Sequence, residues 1–288
     1  METLFRIASR WPLPVLHGLG WLCGWLAFLA SATYRRRFLD NVAQAGISRD
    51  QWIAAVGQSG MMIAELPRLW LGESVPVALQ GEEHVTHALQ AGRGVLCMTP
   101  HLGAFEVTAQ AYAERFCQRG SPITVLFRPP RRHWLGRLVE QARRRPGLVA
   151  VPTDLQGVKQ LIKALRAGES VGLLPDQVPS AGLGRTSNFF GRPAYTMTLS
   201  ARLAQQTGAT VLLVWGERLA WGRGFCVHFE PMAEAMPEDL DEAVLRINQA
   251  LEGLILRRPQ QYLWGYARYK LPRLAEPAGP GGKTAGSH

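Results

Sequence analysis

Acidic residues are scarce in this chain. Its 288 residues include 22 Asp and Glu against 32 Lys and Arg, a formal net charge of +10. Such a balance suits nucleic acid, anionic lipid or an acidic protein partner, and does not choose among them. Cysteine is scarce too. Cys23, Cys97, Cys117 and Cys226 form no C-x-x-C pair and no Cys/His metal spacing, so no metal site is read and no cofactor is expected. This usage fits a reducing compartment. The chain also lacks internal repeats, and no recognition module or aromatic-basic interleaving turns its charge into a nucleic-acid surface. Nucleic acid is therefore not an expected partner. No nucleophile elbow is read either.

Charge itself is absent from Trp11 to Thr33, a run rich in Leu, Trp, Gly and Ala. As a helix it would span about 30 Å or slightly more. Arg6 and Arg10 precede it, Arg35-Arg36-Arg37 follow, and Trp11 and Tyr34 suit interfacial anchoring. Three readings stand: a membrane anchor that spans or dips into a leaflet, a cleaved signal peptide ending at Ala30-Ser31-Ala32, and a buried helix packed on the domain. The anchor is preferred, because three arginines directly after a cleavage site are unusual and export would leave cysteines unpaired. The larger basic cluster after the run places Arg35 onward in the cytoplasm.

What remains is 47% hydrophobic by count over the whole chain, enough for one substantial α/β core. The expected organisation is an anchor segment over 1–37, one domain over 38–275, and a disordered Gly/Pro-rich tail over 276–288. Within the domain, Gly94 to Met98 reads as a short buried strand that Pro100 ends. His101 follows at the strand's C-terminal edge, where open α/β sheets bind ligands. A helix is expected from Leu102 to Phe116, with Glu106 about one turn in. A carboxylate there can hold one imidazole nitrogen and leave the other free as a base.

Ile123 to Phe127 reads as a second strand running into Arg128-Pro129-Pro130-Arg131-Arg132-His133, with a helix from Trp134 to about Arg145. Seven arginines lie between Arg128 and Arg145 against one acid, Glu140. Arg128 differs from the rest because it follows a strand directly and opens a loop, a position suited to bidentate phosphate binding. Ser170 to Leu174 reads as a strand ending at Pro175-Asp176-Gln177, so Asp176 and His101 can line one crevice. A long polar loop is expected from Val178 to Pro193, carrying Arg185, and a helix from Pro193 to Gln206. Gln261 to Lys270 is aromatic with basic residues, and suits a headgroup-level surface or simple packing on the core.

Five blocks together resemble the bacterial lipid A late acyltransferases, the lauroyl/myristoyl family of lipopolysaccharide synthesis. They are His101-Leu102-Gly103-Ala104-Phe105-Glu106, Phe127-Arg128-Pro129, Leu174-Pro175-Asp176-Gln177, Phe189-Phe190-Gly191-Arg192-Pro193-Ala194 and Gln261-Tyr262-Leu263-Trp264. They occur in the family's order, and the resemblance runs from the apolar segment to about Pro272. One departure is Arg131-Arg132-His133, where the family often has Asn.

The resemblance implies an α/β, glycerolipid-acyltransferase-like mixed sheet flanked by helices, with an N-terminal apolar membrane-associated helix. It implies an enzyme of the inner membrane with its catalytic domain on the cytoplasmic side. That enzyme moves a lauroyl or myristoyl chain from acyl carrier protein onto a hydroxyl of an acyl chain on Kdo-modified lipid IVA. His101 and Glu106 are then the catalytic pair, and Arg128, Asp176, Gln177, Arg131 and Arg185 the substrate contacts. The oxyanion would be held by amides near Gly103 or by Arg128. The partners are acyl carrier protein and a membrane glycolipid, and a monomer is expected. Two other readings remain: the same fold acting on another lipid acceptor, such as a glycerolipid or ornithine lipid, and a non-catalytic membrane-associated binding protein.

Overall fold

The computed structural model describes residues 2–117, 120–127, 136, 138, 139, 142 and 145–272. Arg128, Arg131, most of the helix expected from Trp134 and the tail from 276 lie outside them.

Among the described residues the helices are α1 (Glu2–Ala8), α2 (Leu13–Ala30), α3 (Ala32–Gln44), α4 (Arg49–Ala64), α5 (Leu66–Leu71), α6 (Glu82–Gln90), α7 (Phe105–Phe116), α8 (Leu155–Arg166), α9 (Leu199–Thr207) and α10 (Leu240–Arg257). The strands are β1 (Val77–Gln80), β2 (Val95–Met98), β3 (Ile123–Phe127), β4 (Leu148–Pro152), β5 (Ser170–Leu173), β6 (Gly184–Phe189), β7 (Arg192–Met197), β8 (Thr210–Arg218) and β9 (Phe225–Pro231). Seven strands form one mixed sheet in the order β1-β9-β8-β2-β5-β3-β4. Only β8 and β9 pair antiparallel; the other neighbours are parallel.

β2 lies inside the sheet, between β8 and β5, and all four of its residues are buried. Successive strand residues face opposite sides. Leu96 and Met98 accordingly join the core under α3, α4, α8, α9 and α10, while Val95 and Cys97 join the core under α6 and α7. A parallel strand covered on both faces reads as an unbroken apolar run, which is why Val95 to Met98 is legible without alternation.

The stretch expected as a loop and then a helix is instead a hairpin. β6 and β7 pair antiparallel, with Phe189 opposite Arg192. The two residues between them, Phe190 and Gly191, have φ of +49° and +72°, the paired left-handed values that a tight two-residue turn needs. Phe190 holds that conformation because Glu252 accepts its N–H at 2.8 Å and Gln44 donates to its carbonyl at 2.7 Å. The helix expected from Pro193 begins only at Leu199.

α2 carries the apolar N-terminal run and is long and apolar enough to cross a membrane. One side of it is buried: Leu13, Leu16, His17, Gly20, Gly24 and Phe28, at helical spacing. Gly20 and Gly24 let its backbone approach α4 closely. A Cβ on Gly60 of α4 would lie 1.9 Å from the Gly20 carbonyl oxygen, so the crossing requires glycine there. The opposite side of α2 exposes Val15, Leu19, Leu22, Leu26 and Leu29.

Candidate active site

Met98 of β2 stands opposite Leu173 of β5, and the Thr99 N–H donates to the Leu173 carbonyl at 3.0 Å. Each strand then runs into proline, Pro100 and Pro175, which cannot extend the ladder. His101 and Asp176 follow at the same offset from the matched pair, so parallel pairing alone brings them together. The contact is bidentate. His101 Nδ1 lies 2.7 Å from Asp176 Oδ1, and the His101 backbone N–H donates to Oδ2 at 2.9 Å. Tyr262 Oη also donates to Oδ2, at 3.3 Å.

Asp176 is 2% exposed. Burial alone pushes its carboxyl upward. The facing imidazole, the two hydrogen bonds from His101 and the charge of Arg268 outweigh burial and hold it below the ordinary carboxylate value. An ionised Asp176 accepts only, so Nδ1 carries a proton and Nε2 presents its lone pair. Gln177 Nε2 lies 3.0 Å from that lone pair and caps it. Burial first, and then the Asp176 charge, keep the Tyr262 phenol well above its ordinary value, so it remains a donor.

The structure thus gives the place expected of Glu106 to Asp176. Both imidazole nitrogens are occupied, by Asp176 and Gln177. The reason lies in residues 102–104, which are not helical. Gly103 has φ of +59°, and a Cβ there would lie 1.9 Å from the Gly216 carbonyl oxygen. Leu102 bridges Tyr262 and Gly103 bridges Gly216. α7 therefore starts at Phe105 and leaves Glu106 in its first turn, where the helix dipole favours a carboxylate. There Glu106 Oε2 accepts the Trp70 indole N–H at 3.4 Å.

The backbone amides expected to hold an oxyanion are spent. Gly103 N–H donates to the Gln261 carbonyl at 2.9 Å and Ala104 N–H to the Gly216 carbonyl at 2.8 Å. The Cys97 thiol is buried and pushed up to about 12 by burial, which denies it a nucleophile's role. One run, Gly168 to Gly172, does spell the G-x-S-x-G letters. Its Ser170 opens β5 instead of following a strand, is fully buried, and lies 2.5 Å from Tyr112 Oη. It stands at the end of the sheet opposite His101 and forms no elbow. Arg185 lies on the exposed ribbon with its Nε 3.6 Å from Asp241 of α10, a group apart from the His101 cluster.

Two contributors were not named as site residues by sequence reasoning: Tyr262 and Arg268, in the aromatic-basic stretch. That stretch packs on the core. Arg268 is 3% exposed, donates to the Tyr195 carbonyl at 2.8 Å and to Thr196 Oγ1 at 2.6 Å, and lies over the Phe189 ring. Gln261 ties the site to the rest of the molecule. Its side-chain amide exchanges two hydrogen bonds with the Arg218 backbone, both 2.9 Å. The Arg218 guanidinium meets Glu65 through two bonds of 2.6 Å and Gln58 at 2.8 Å. Glu65 in turn lies 3.1 Å from His17 of α2. A continuous buried polar chain thus joins the loop after His101 to the apolar helix.

Comparison with known proteins identifies the family. The family described as bacterial lipid A biosynthesis acyltransferase matches residues 17–271. The lipid A biosynthesis palmitoleoyltransferase of Escherichia coli K12 is 26% identical over 295 residues, covering 95% of this chain and 92% of that protein. The lauroyltransferase of the same organism is 25% identical, covering 90% of this chain and 86% of its own length. Its myristoyltransferase is 25% identical, covering 87% and 78%. The match takes in β2, β5 and the aromatic stretch that closes the site, and on it the chain belongs to the bacterial lipid A biosynthesis acyltransferase family.

Proposed function

We propose that this chain transfers a fatty acyl group, lauroyl or myristoyl, from acyl carrier protein to a hydroxyl on an acyl chain of Kdo-modified lipid IVA. The observation that carries the reading is the His101–Asp176 contact at the ends of β2 and β5, with Nε2 turned toward the one side chain that covers it. In this reading the acceptor hydroxyl displaces the Gln177 amide from Nε2. His101 takes the hydroxyl proton as its oxygen bonds to the thioester carbonyl carbon. Asp176 holds the proton on Nδ1 and stabilises the imidazolium that forms. Collapse of the tetrahedral intermediate breaks the C–S bond, and the imidazolium returns the proton to the departing thiolate.

The freed Gln177 amide then lies beside the carbonyl under attack, and we assign it the oxyanion contact. Arg128 and Arg131 are assigned to substrate anions on sequence grounds. Glu106, held by Trp70 in the first turn of α7, is assigned a supporting place behind Phe105, and Arg185 serves a substrate only through the ribbon that carries it. α2 supports work at the inner membrane, with the domain on the cytoplasmic side. Its small-residue face is taken by α4, so its Val15, Leu19, Leu22, Leu26 and Leu29 face is the one offered to lipid.

The test is incubation of detergent-solubilised protein with lauroyl- and myristoyl-acyl carrier protein and Kdo-modified lipid IVA, read by product mass. A gain of one acyl chain, lost in His101→Ala, is expected. No gain from a folded protein on either donor would overturn this acceptor.

A further inference from the structure

A cleft of about 480 Å³ opens away from the catalytic histidine, between the end of α1 and the end of α5. Arg6, Arg10 and Arg68 line it, with Glu73 the one acid among its lining residues. Glu73 is no adequate counter-ion. Its side chain is 90% exposed, and it meets Arg68 only at 3.5 Å. Arg68 is held inside, with 16% of its side chain exposed. Its other contact, to the Ser9 carbonyl, is 3.4 Å long, and its buried Nε has no hydrogen-bond partner among the described residues. Arg10 has no side-chain partner among the described residues, and Arg6 turns one side to Glu2. Gly72 keeps the cleft narrow at its floor: a Cβ there would lie 2.5 Å from the Ser9 carbonyl oxygen and 2.6 Å from Arg68 Cδ. Arg10 and the half-compensated Arg68 bring positive charge to one cavity, which favours an anion there. Their forked donors match the oxygens of a phosphate.

Position decides what carries that phosphate. Leu4 and Ile7 of α1 and Trp11, next to Arg6 and Arg10 in sequence, are exposed, as are Val15, Leu19 and Leu22 of α2. A basic cleft on the same helix and turn as exposed apolar side chains fits an anionic headgroup whose chains stay in a lipid layer. On the inner side, Phe5 packs on Trp70 at 5.6 Å between ring centroids, and Trp70 donates to Glu106. Phe105, next to Glu106, lies 4.7 Å from the His101 ring. A series of side-chain contacts, Phe5 to Trp70 to Glu106 and its neighbour Phe105, therefore runs from α1 to the His101 ring.

We propose that Arg6, Arg10 and Arg68 form a phosphate site that holds the headgroup of a phosphorylated membrane lipid at the α1–α5 end of the molecule. That this lipid is the one bearing the acceptor hydroxyl rests on the function proposed above; the anion site itself does not.

Flotation separates the two. The full-length protein is mixed with phosphatidylcholine vesicles containing either phosphatidic acid or the uncharged diacylglycerol with the same chains. Wild type should bind the phosphatidic acid vesicles about tenfold more tightly, the scale of one charged hydrogen-bonding contact. Arg10→Gln, which removes no hydrogen bond or ion pair among the described residues, should lose most of that difference, and Arg68→Gln should do the same. Glu73→Gln should strengthen binding, a gain that misfolding does not produce. Equal binding of wild type and Arg10→Gln to the phosphatidic acid vesicles would overturn the site. Displacement by millimolar inorganic phosphate would overturn the lipid as its source and leave a free-phosphate site.

Turnover supplies the second arm. Arg10→Gln should raise KM for a phosphorylated acceptor about tenfold without moving KM for the acyl donor, and the gap should close on the dephosphorylated acceptor. A wild type that floats as described yet transfers no acyl chain sinks the acceptor reading alone.

Discussion

Asp176→Asn is the substitution that tests the site most directly. The side chain keeps its shape and its 2% exposure, so packing is preserved. What changes is donor and acceptor bookkeeping. Asp176 now accepts from the His101 backbone N–H, from His101 Nδ1 and from Tyr262. An asparagine has one acceptor oxygen and one donor nitrogen in those two places. If its nitrogen faces Nδ1, the imidazole must move its proton to Nε2, and the lone pair needed for general-base catalysis is gone. If it faces the backbone N–H, two donors meet in a buried pocket. Either way the imidazolium formed during transfer loses its carboxylate. Removing one partner of a buried charged pair costs about 3–5 kcal/mol, and about 1.4 kcal/mol is a factor of ten. The expected loss in kcat is therefore roughly 10²- to 10⁴-fold, with KM for acyl carrier protein nearly unchanged. Single-turnover transfer by wild type, Asp176→Asn and Glu106→Gln measures it. A folded Asp176→Asn within tenfold of wild type, or a far larger loss in Glu106→Gln, refutes the assignment of Nδ1 to Asp176. The same variant has a stability signature. Asp176 ionises more readily folded than unfolded, so its charge contributes stability above about pH 4, the ordinary carboxylate value. That contribution disappears as pH falls through the lower folded value. The gap in Tm between wild type and Asp176→Asn should narrow as the buffer passes below that value.

Three further outcomes are expected. Gln177→Leu removes the donor assigned to the oxyanion and should lower kcat about 10²-fold; a variant as fast as wild type returns the oxyanion to groups outside the described residues. Glu65→Gln leaves the buried Arg218 guanidinium without its counter-charge, at a cost of about 3–5 kcal/mol, visible as a lowered thermal transition; an unchanged melt shows that the pair is not buried. Iodoacetamide at pH 8 should alkylate the exposed Cys23 and spare Cys97, whose thiol is held near 12 by burial; modification of Cys97 in the native protein contradicts the packing of β2.

Much of the frame was legible because its signals are local. The apolar runs at β2, β3 and β5 follow from short-range pattern and the prolines that end them. The meeting of His101 with Asp176 was legible as well, since two strands ending in proline place the next polar residues at one sheet edge. The partner of His101 was not. Counting one helical turn to Glu106 presumes that the helix starts at Leu102, and long-range pairing of Gly103 with Gly216 prevents that. The β6–β7 hairpin was hidden for a similar reason. Its turn puts phenylalanine where asparagine usually signals the left-handed region, and the support comes from distant Glu252 and Gln44. Tyr262 and Arg268 carried no spacing signal toward His101; only the fold brings them under it.

The dependence of the His101 loop on Gln261 and Leu263 bears on the order in which the molecule is made. Gly103 donates to the Gln261 carbonyl, and the Leu263 N–H donates to the His101 carbonyl. On the ribosome, β2, β5 and even β8 emerge while those carbonyls and amides still lack their partners. His101 is thus among the earlier residues of the domain to be synthesised and among the last to be locked. In a nascent chain the proposed base is therefore unfinished until the aromatic stretch has left the exit tunnel and docked.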